Sequence, residues 1–434
     1  MRRDGQHYTM KKILFGLAIT VFFSFNTNSQ TFRAGAAVRV ITPDPLLPVS
    51  GGIGTPRPAT IKQGELYVRA LVLEKGATRV AIVNIDNLGW PAALGNRSRK
   101  LITGIPAENI LIGATHTHSG PDAYGFPDEN GKSYADLKYL DWCVQQVADA
   151  VNEAIKKLQP ASLKTAVGEA KGKIAYNYYA PDLYDPRCGI IQPVAVSGKN
   201  AGKPIATLVN YAIHPEVIGS RQGILSPDLC GPLYERIEEK GGGIALFMNG
   251  AQGGMVTADT RIDDKTEANH WAECGRIGRL LADEALRIVS DAPLQPDPDL
   301  YCAAKTIRFP IASPVMKYIL ANSPLKLAGD NPDMEYAYTQ LNLLNIGQAQ
   351  VVTIPGEALP NIGYYVKRNM KTKQPFLFGL TNDAFGYMLT REDFNSFKKY
   401  EYVSRTSLGE MTGDIYINEA LKAIAESPAA QGYE

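Results

Sequence analysis

The stretch Leu111–Asp122 reads LIGATHTHSGPD and joins a short apolar run to two histidines, His116 and His118. The chain of 434 residues contains only five histidines, so a pair two positions apart is unusual. Side chains at alternate positions of an extended segment point the same way, which predicts that both rings face one pocket at the end of a strand. Two buried histidines bonded only to the backbone are the alternative.

Apolar, β-branched runs like the one before His116 recur along the chain and predict a sheet. The predicted strands are residues 79–86, 109–115, 205–213, 244–250, 349–355 and 376–380. Helical patterns lie between them, in residues 134–158 and 270–289, where apolar residues recur every three or four positions. Near-continuous apolar strands separated by helices predict an α/β fold with mixed β-sheets covered by helices, in a single large domain.

The first thirty residues have a different pattern. Lys11 and Lys12 precede ILFGLAITVFFSF, and the polar residues NTNSQ follow. About 20 apolar residues are needed to span a membrane, so this short stretch predicts a secretory signal peptide over residues 1–30 and a mature domain over residues 31–434. The protein is then exported, to the periplasm or out of the cell. A retained membrane anchor is the alternative.

Charge and cysteine content exclude some classes of protein. Loss of residues 1–30 would remove four basic residues and one acidic residue, and change the formal net charge from +1 to −2. Without a Lys/Arg run, nothing indicates a nucleic-acid partner or attraction to anionic lipid headgroups. The five cysteines are far apart and form no CxxC pair. They are predicted to be buried thiols, and their odd number leaves at least one unpaired.

Other chemically capable residues also follow predicted strands. His214 follows residues 205–213, Glu357 follows residues 349–355, and Tyr387 follows residues 376–380 after a short turn. Ligands of α/β proteins bind beyond the carboxyl ends of strands, so these residues and His116 are expected to share a site. Two imidazoles and a carboxylate are a donor set for catalytic zinc, although no compact HExxH is present. The alternative is that each of these residues has a separate structural role in the core.

From about Phe32 to Tyr400 the chain resembles the neutral/alkaline non-lysosomal ceramidase family, in its catalytic domain. The most specific match is ATHTHSGP at residues 114–121. Weaker matches follow in the family's order: AGAAVRVITP at residues 34–43, AIHPEV (family xxHPT) at 212–217, IPGEAL (family PGEF) at 354–359, and GYMLTREDF at 386–394.

The resemblance implies a hydrolase that uses Zn²⁺ to cleave an N-acyl amide bond. The residues that match the family's zinc ligands are His116, His214, Glu357 and Tyr387. The resemblance further implies that His118 binds the scissile group and that Tyr400 is catalytic. The spacing between Tyr387 and Tyr400 is one residue longer than in the family's motif. The expected substrate is a small molecule or a lipid similar to ceramide, cleaved to a fatty acid and a sphingoid base. Whether the protein makes transient contact with a membrane surface is left open.

The match departs from the family at several places. Val256 stands where the family has a serine, so a serine-nucleophile mechanism is not expected. The region of Asn177 lacks the family's arginine, and no immunoglobulin-like domain is expected in the 34 residues after Tyr400. A zinc hydrolase of another N-acyl compound, an ester or a sugar derivative is therefore an alternative, and a binding protein is a third. Asp86 and Asp228 are predicted either to assist proton transfer or, preferentially, to cap helices and fix loops.

Overall fold

The computed structural model describes Met1 and residues 31–263, 265–327 and 334–434. Thr31–Glu434 forms one compact unit. The predicted signal peptide lies outside the described residues, apart from Met1. In the part of the chain that the structure describes, no helix is both long enough and apolar enough to cross a membrane.

An eight-stranded mixed sheet forms the centre of the fold. Its strands are β1 (Arg33–Val40), β2 (Tyr67–Lys75), β3 (Thr78–Ile85), β4 (Ile110–Ala114), β5 (Gln159–Glu169), β6 (Arg187–Ala195), β7 (Ala206–Tyr211) and β8 (Ile244–Asn249). Their order is β8-β7-β6-β5-β1-β2-β3-β4. The two outer pairs, β7 with β8 and β3 with β4, are parallel, and the other pairs are antiparallel.

A second sheet of four strands packs on one face of the first. Its strands are β9 (Leu300–Pro310), β10 (Tyr336–Ile346), β11 (Ala349–Thr353) and β12 (Gln374–Phe378), in that order, with β11 and β12 parallel. Side chains of a strand alternate between the two faces of its sheet. Leu71, Leu246 and Met248 of the first sheet thus meet Val351 and Phe376 of the second in one buried cluster.

Helices cover the outer faces of both sheets. They are α1 (Ala92–Leu101), α2 (Leu137–Lys156), α3 (Cys230–Glu239), α4 (Trp271–Ser290), α5 (Pro314–Asn322), α6 (Pro360–Asn369), α7 (Glu401–Arg405) and α8 (Thr412–Glu426). The first four pack on the eight-stranded sheet, and α5, α6 and α8 pack on the second sheet. Asp136 caps α2 by accepting a hydrogen bond from Tyr139 N at 2.9 Å.

The predicted fold class is confirmed. All predicted strands are present with ends that differ by at most two residues, and the two predicted helices are α2 and α4. Both faces of the sheets are covered, which is why these strands are almost continuously apolar. The expectation for the cysteines is also confirmed: all five are free thiols, and only Cys302 is not fully buried.

Candidate metal centre

His116 follows β4 and His214 follows β7, which are not adjacent in the sheet, and one asparagine holds both segments. Asn249, at the end of β8, donates from Nδ2 to Thr115 O at 3.0 Å and to Ile213 O at 2.7 Å. Its Oδ1 accepts from Ile213 N at 3.2 Å. These bonds fix the carbonyl immediately before each histidine, so the buried side chain of Asn249 sets the distance between the two rings.

Hydrogen bonds to backbone carbonyls fix the tautomers of these two rings. His116 Nδ1 lies 2.6 Å from Leu88 O, and His214 Nδ1 lies 2.8 Å from Val256 O. A carbonyl oxygen only accepts, so Nδ1 carries the proton and the Nε2 lone pair of each neutral ring is free. A histidine that ligates a metal typically donates its other N–H in this way.

The two Nε2 atoms converge on the carboxylate of Glu357. Glu357 Oε2 lies 3.4 Å from His116 Nε2 and 3.2 Å from His214 Nε2. His214 Nε2 and Glu357 Oε2 are both buried without a hydrogen-bond partner among the described residues. Burial raises the pKa of Glu357, but the neighbouring His116 and His214 outweigh it and lower that pKa overall. Two lone pairs and a carboxylate brought this close in a buried site fit a cation between them.

The third histidine of the group is His118. The ligand atoms of His116, His118 and His214 all lie within 4.8 Å of one another, so these three residues can hold a metal ion. Burial lowers the pKa of His118 well below its ordinary value, and His116 and His214 lower it further. His118 Nε2 is buried and has no hydrogen-bond partner among the described residues, while Nδ1 lies 3.6 Å from Glu216 Oε2. His118 is thus available to the metal or to the substrate, and the predicted contact with the scissile group stays a prediction.

Tyr387 lies beside Glu357 because two short strands pair in parallel. Glu357–Ala358 is hydrogen-bonded to Tyr387–Met388, with Glu357 opposite Tyr387. The Tyr387 hydroxyl donates to Met255 Sδ at 3.3 Å. Burial raises the pKa of Tyr387 well above its ordinary value, and the charge of Glu357 raises it further. Tyr387 borders the same cavity as His116 and Glu357, and its role as a metal ligand stays a prediction.

Two cavities meet at His118. The first, the apolar cavity, has a volume of about 80 Å³ and reaches Glu357 and Tyr387. The second, the polar cavity, has a volume of about 680 Å³. Apolar side chains dominate the wall of the first, among them Leu88, Phe126, Met316, Ile319 and Phe385. Tyrosines and charged residues are prominent in the wall of the second, among them Tyr176, Tyr178, Tyr179, Glu216 and Glu267.

Tyr402 borders both cavities, whereas Tyr400 is not among the described residues that line either. The ring of Tyr400 packs on Tyr179 and Phe397, with centroids 5.5 Å apart in each pair. The ring of Tyr402 lies 5.9 Å from that of Tyr387. Tyr402 is 43% exposed, and its partial desolvation, helped by the charge of Glu357, raises its pKa to about 12. The catalytic role of Tyr400 stays a prediction, and Tyr402 is a candidate that the sequence analysis missed.

The two aspartates have structural contacts. Asp86 accepts hydrogen bonds from Tyr67 N and the Tyr234 hydroxyl, both at 2.9 Å. Asp228 accepts from Ile218 N at 2.9 Å and from Leu229 N at 2.8 Å. Burial raises the pKa of each to about 6, although these hydrogen bonds oppose the shift. These contacts agree with the preferred prediction that the two residues fix loops.

Val256 contributes to the centre through its backbone. Its carbonyl accepts from His214 N at 2.8 Å as well as from the His214 ring. Val256 therefore orients a histidine through its backbone, without any side-chain chemistry.

Comparison with known proteins supports the fold. No family model matches the chain, and no curated protein matches its sequence. Among solved structures, neutral ceramidase from Pseudomonas aeruginosa matches with a TM-score of 0.75 and 18% identity, over 93% of this chain and 76% of that one. A ceramidase complexed with C2 matches with a TM-score of 0.72 and 17% identity, over 92% of this chain and 77% of that one.

The fold and the buried group of histidines together define a protein of α/β architecture with a candidate metal centre at its strand ends. The fold is that of the neutral ceramidases, as the sequence resemblance predicted.

Proposed function

We propose that this protein is an exported zinc-dependent amidohydrolase that cleaves an N-acyl bond. The observation that carries the proposal is the approach of the two imidazole Nε2 atoms to the buried carboxylate of Glu357, at 3.4 and 3.2 Å. His116, His214 and Glu357 would hold the ion, with Tyr387 as the fourth ligand. Zinc rather than another divalent ion is proposed because nitrogen and carboxylate donors in this number are typical of catalytic zinc sites.

The chemistry divides between the ion and the protein. Zinc, when bound, supplies a Lewis acid and makes water a nucleophile near neutral pH. His118, a neutral base with a free Nε2, can take a proton from water and deliver it to the leaving nitrogen. The Tyr402 hydroxyl, protonated at neutral pH because its pKa is about 12, can donate a hydrogen bond to the developing oxyanion. Water adds to the carbonyl carbon, the C–N bond breaks, and the products are a carboxylate and an ammonium ion.

Ceramide is the first substrate to consider, since the two solved structures described above are ceramidases. Such a reaction would release a fatty acid and a sphingoid base. A zinc hydrolase of another N-acyl compound, an ester or a sugar derivative is the second candidate. The polar cavity next to His118 favours that second candidate, because it offers charged and hydroxyl groups to one half of the substrate.

Metal content and amide hydrolysis test the proposal together. The purified chain without residues 1–30 should bind about one zinc ion by elemental analysis, and the zinc-loaded protein should release amine from an N-acyl substrate. His116→Ala and His214→Ala should lose both properties. His270→Ala is the matched control, because His270 is exposed, caps α4 and does not belong to the group of histidines whose ligand atoms converge. Equal zinc content in all variants would contradict the assignment.

Export is proposed from the sequence of residues 1–30 alone. Its test is the amino-terminal sequence of the protein recovered from cell fractions. A mature terminus near Thr31 outside the cytoplasm is expected, and an intact leader in the cytoplasmic fraction would refute export.

A further inference from the structure

The position of the scissile bond follows from the way the two cavities meet. The residues that border both cavities are Gly51, His118 and Tyr402. His118 and Tyr402 carry the groups that would act on an amide, so the bond to be broken lies at this junction. One half of the substrate then extends into the apolar cavity and the other half into the polar cavity.

The apolar cavity is small. Its volume of about 80 Å³ is roughly half that of the ~150 Å³ protein cavity that binds benzene. Its wall includes Met316 and Ile319 from α5 and Phe126 from the loop before α2. The enclosed space suits an acyl group of a few carbons, from acetyl to butanoyl, and a long fatty-acyl chain would have to extend out through the open side of the cavity.

The polar cavity has the opposite character. At about 680 Å³ it lies within the range of small-molecule sites. Tyr176, Tyr178 and Tyr179 contribute aromatic rings and hydroxyl groups to its wall, and Thr257 and Asn269 add further hydrogen-bonding groups. This combination suits a hydroxylated ring or chain, whose C–H face packs on tyrosine while its hydroxyls find partners.

Glu216 decides between a polar occupant and a second alkyl chain. Its side chain is 23% exposed, borders the polar cavity, and lies with Oε2 3.6 Å from His118 Nδ1. Among the described residues no Lys or Arg forms an ion pair with it. An alkyl chain over this carboxylate would remove its water without replacing the lost hydrogen bonds, at a considerable cost in free energy. A hydroxylated amine, in contrast, supplies donors to it.

From these observations we infer that the substrate is a short-chain N-acyl derivative of a polar, hydroxylated amine, of the amino-sugar class. The apolar cavity holds the acyl group, the polar cavity holds the amine half, and Glu216 binds donors of that half and the ammonium group of the product. The inference rests on the proposed amide hydrolysis and narrows its substrate. It disfavours ceramide, which would need room for two long chains.

Three amides test the inference on the zinc-loaded protein: N-acetylglucosamine, N-octanoylglucosamine and a ceramide with a C16 acyl chain, each followed by the amine released. The expected kcat/KM for N-acetylglucosamine is at least about tenfold above those of the other two. Faster hydrolysis of ceramide or of N-octanoylglucosamine would overturn the inference and leave amide hydrolysis standing. If none of the three amides is cleaved, the proposed function fails as well.

Binding of the amine half is measured without turnover. Titration calorimetry with glucosamine should detect binding to the zinc-loaded protein, weakened about tenfold in Glu216→Gln, the size expected when a hydrogen bond to a charged group is lost. Glu239→Gln, at an exposed position at the end of α3, is the matched control and should bind as the unmodified protein does. Equal affinity in Glu216→Gln, or no binding at all by a protein that hydrolyses ceramide, would overturn the inference.

A second variant tests the acyl side. Met316→Ala removes a side chain from the wall of the apolar cavity and should raise the ratio of kcat/KM for N-octanoylglucosamine to that for N-acetylglucosamine several-fold. An unchanged ratio in a folded variant would show that the acyl group lies elsewhere.

Discussion

Zinc should stabilise the folded protein by an amount set by its free concentration relative to the dissociation constant. The donor atoms of His116, His214 and Glu357 converge only when β4, β7 and the segment after β11 are in place, so the unfolded chain offers no comparable site. At a free zinc concentration a thousand times the dissociation constant, the gain is about 4 kcal/mol. The entropy of unfolding is roughly 0.85 kcal/mol/K for about 400 residues at ~2.1 cal/mol/K per residue. The melting temperature should therefore rise by about 5 °C.

The measurement is a thermal melt of chelator-treated protein across a zinc titration, followed by calorimetry or fluorescence. His214→Ala should abolish the rise, because it removes a buried ligand and leaves the carboxylate of Glu357 with one nitrogen fewer. His270→Ala should keep the full rise even though losing its hydrogen bond to Glu273 N lowers the starting melting temperature. Equal rises in both variants, or no rise in the unmodified protein, would refute the reasoning.

Three further predictions concern the support of the site and the stability of the fold. Asn249→Ala should weaken zinc binding roughly 10- to 100-fold in a chelator competition, because the segments before both histidines lose their common anchor. Gly253→Ala should lower the melting temperature and the zinc affinity together, since a Cβ there would lie 2.1 Å from Glu357 O. Burial opposes ionisation of Asp185, but Lys367 and Arg187 lower its pKa to about 2. The stability that ionised Asp185 contributes is complete above the unfolded pKa near 4 and is lost as the pH falls toward 2. Asp185→Asn should lower the free energy of unfolding, measured in urea at pH 7, by about 3–5 kcal/mol, because it leaves Lys367 buried without its partner.

The sequence predicted six of the twelve strands in the two sheets and missed β1, β2, β5, β6, β9 and β10. In β2, Arg69 interrupts the apolar run. In the fold Arg69 is buried, its guanidinium lies 4.5 and 4.0 Å from the ring centroids of Tyr67 and Tyr234, and it donates to Ala245 O at 3.0 Å. Tyr234 and Ala245 are far from Arg69 in the sequence, so the sequence alone does not distinguish this buried arginine from one on the surface.

The residues of the candidate site, like the strands, could be predicted only in part. Residues that follow strands could be recognised as possible members, and the structure brings His116, His214 and Glu357 together. The backbone carbonyls that fix the ring tautomers could not be predicted, since every residue has a carbonyl group. Tyr402 was not considered because the resemblance points to Tyr400, the first of the two tyrosines in KYEYV.

The rings of His116 and His118 face one site, as the sequence predicted, but the reason given for that prediction was wrong. The prediction assumed an extended segment, but His116 has φ of 72°, in the left-handed region that a residue with a side chain seldom adopts. Hydrogen bonds hold it there: His116 N donates to Asn87 O at 2.9 Å, and His118 N donates to Pro215 O at 3.1 Å. The two rings meet edge to face with centroids 4.7 Å apart. A backbone that stores strain at this point, held by bonds to two separate segments, fixes the histidines before any ion binds, which is what a catalytic centre requires of its ligands.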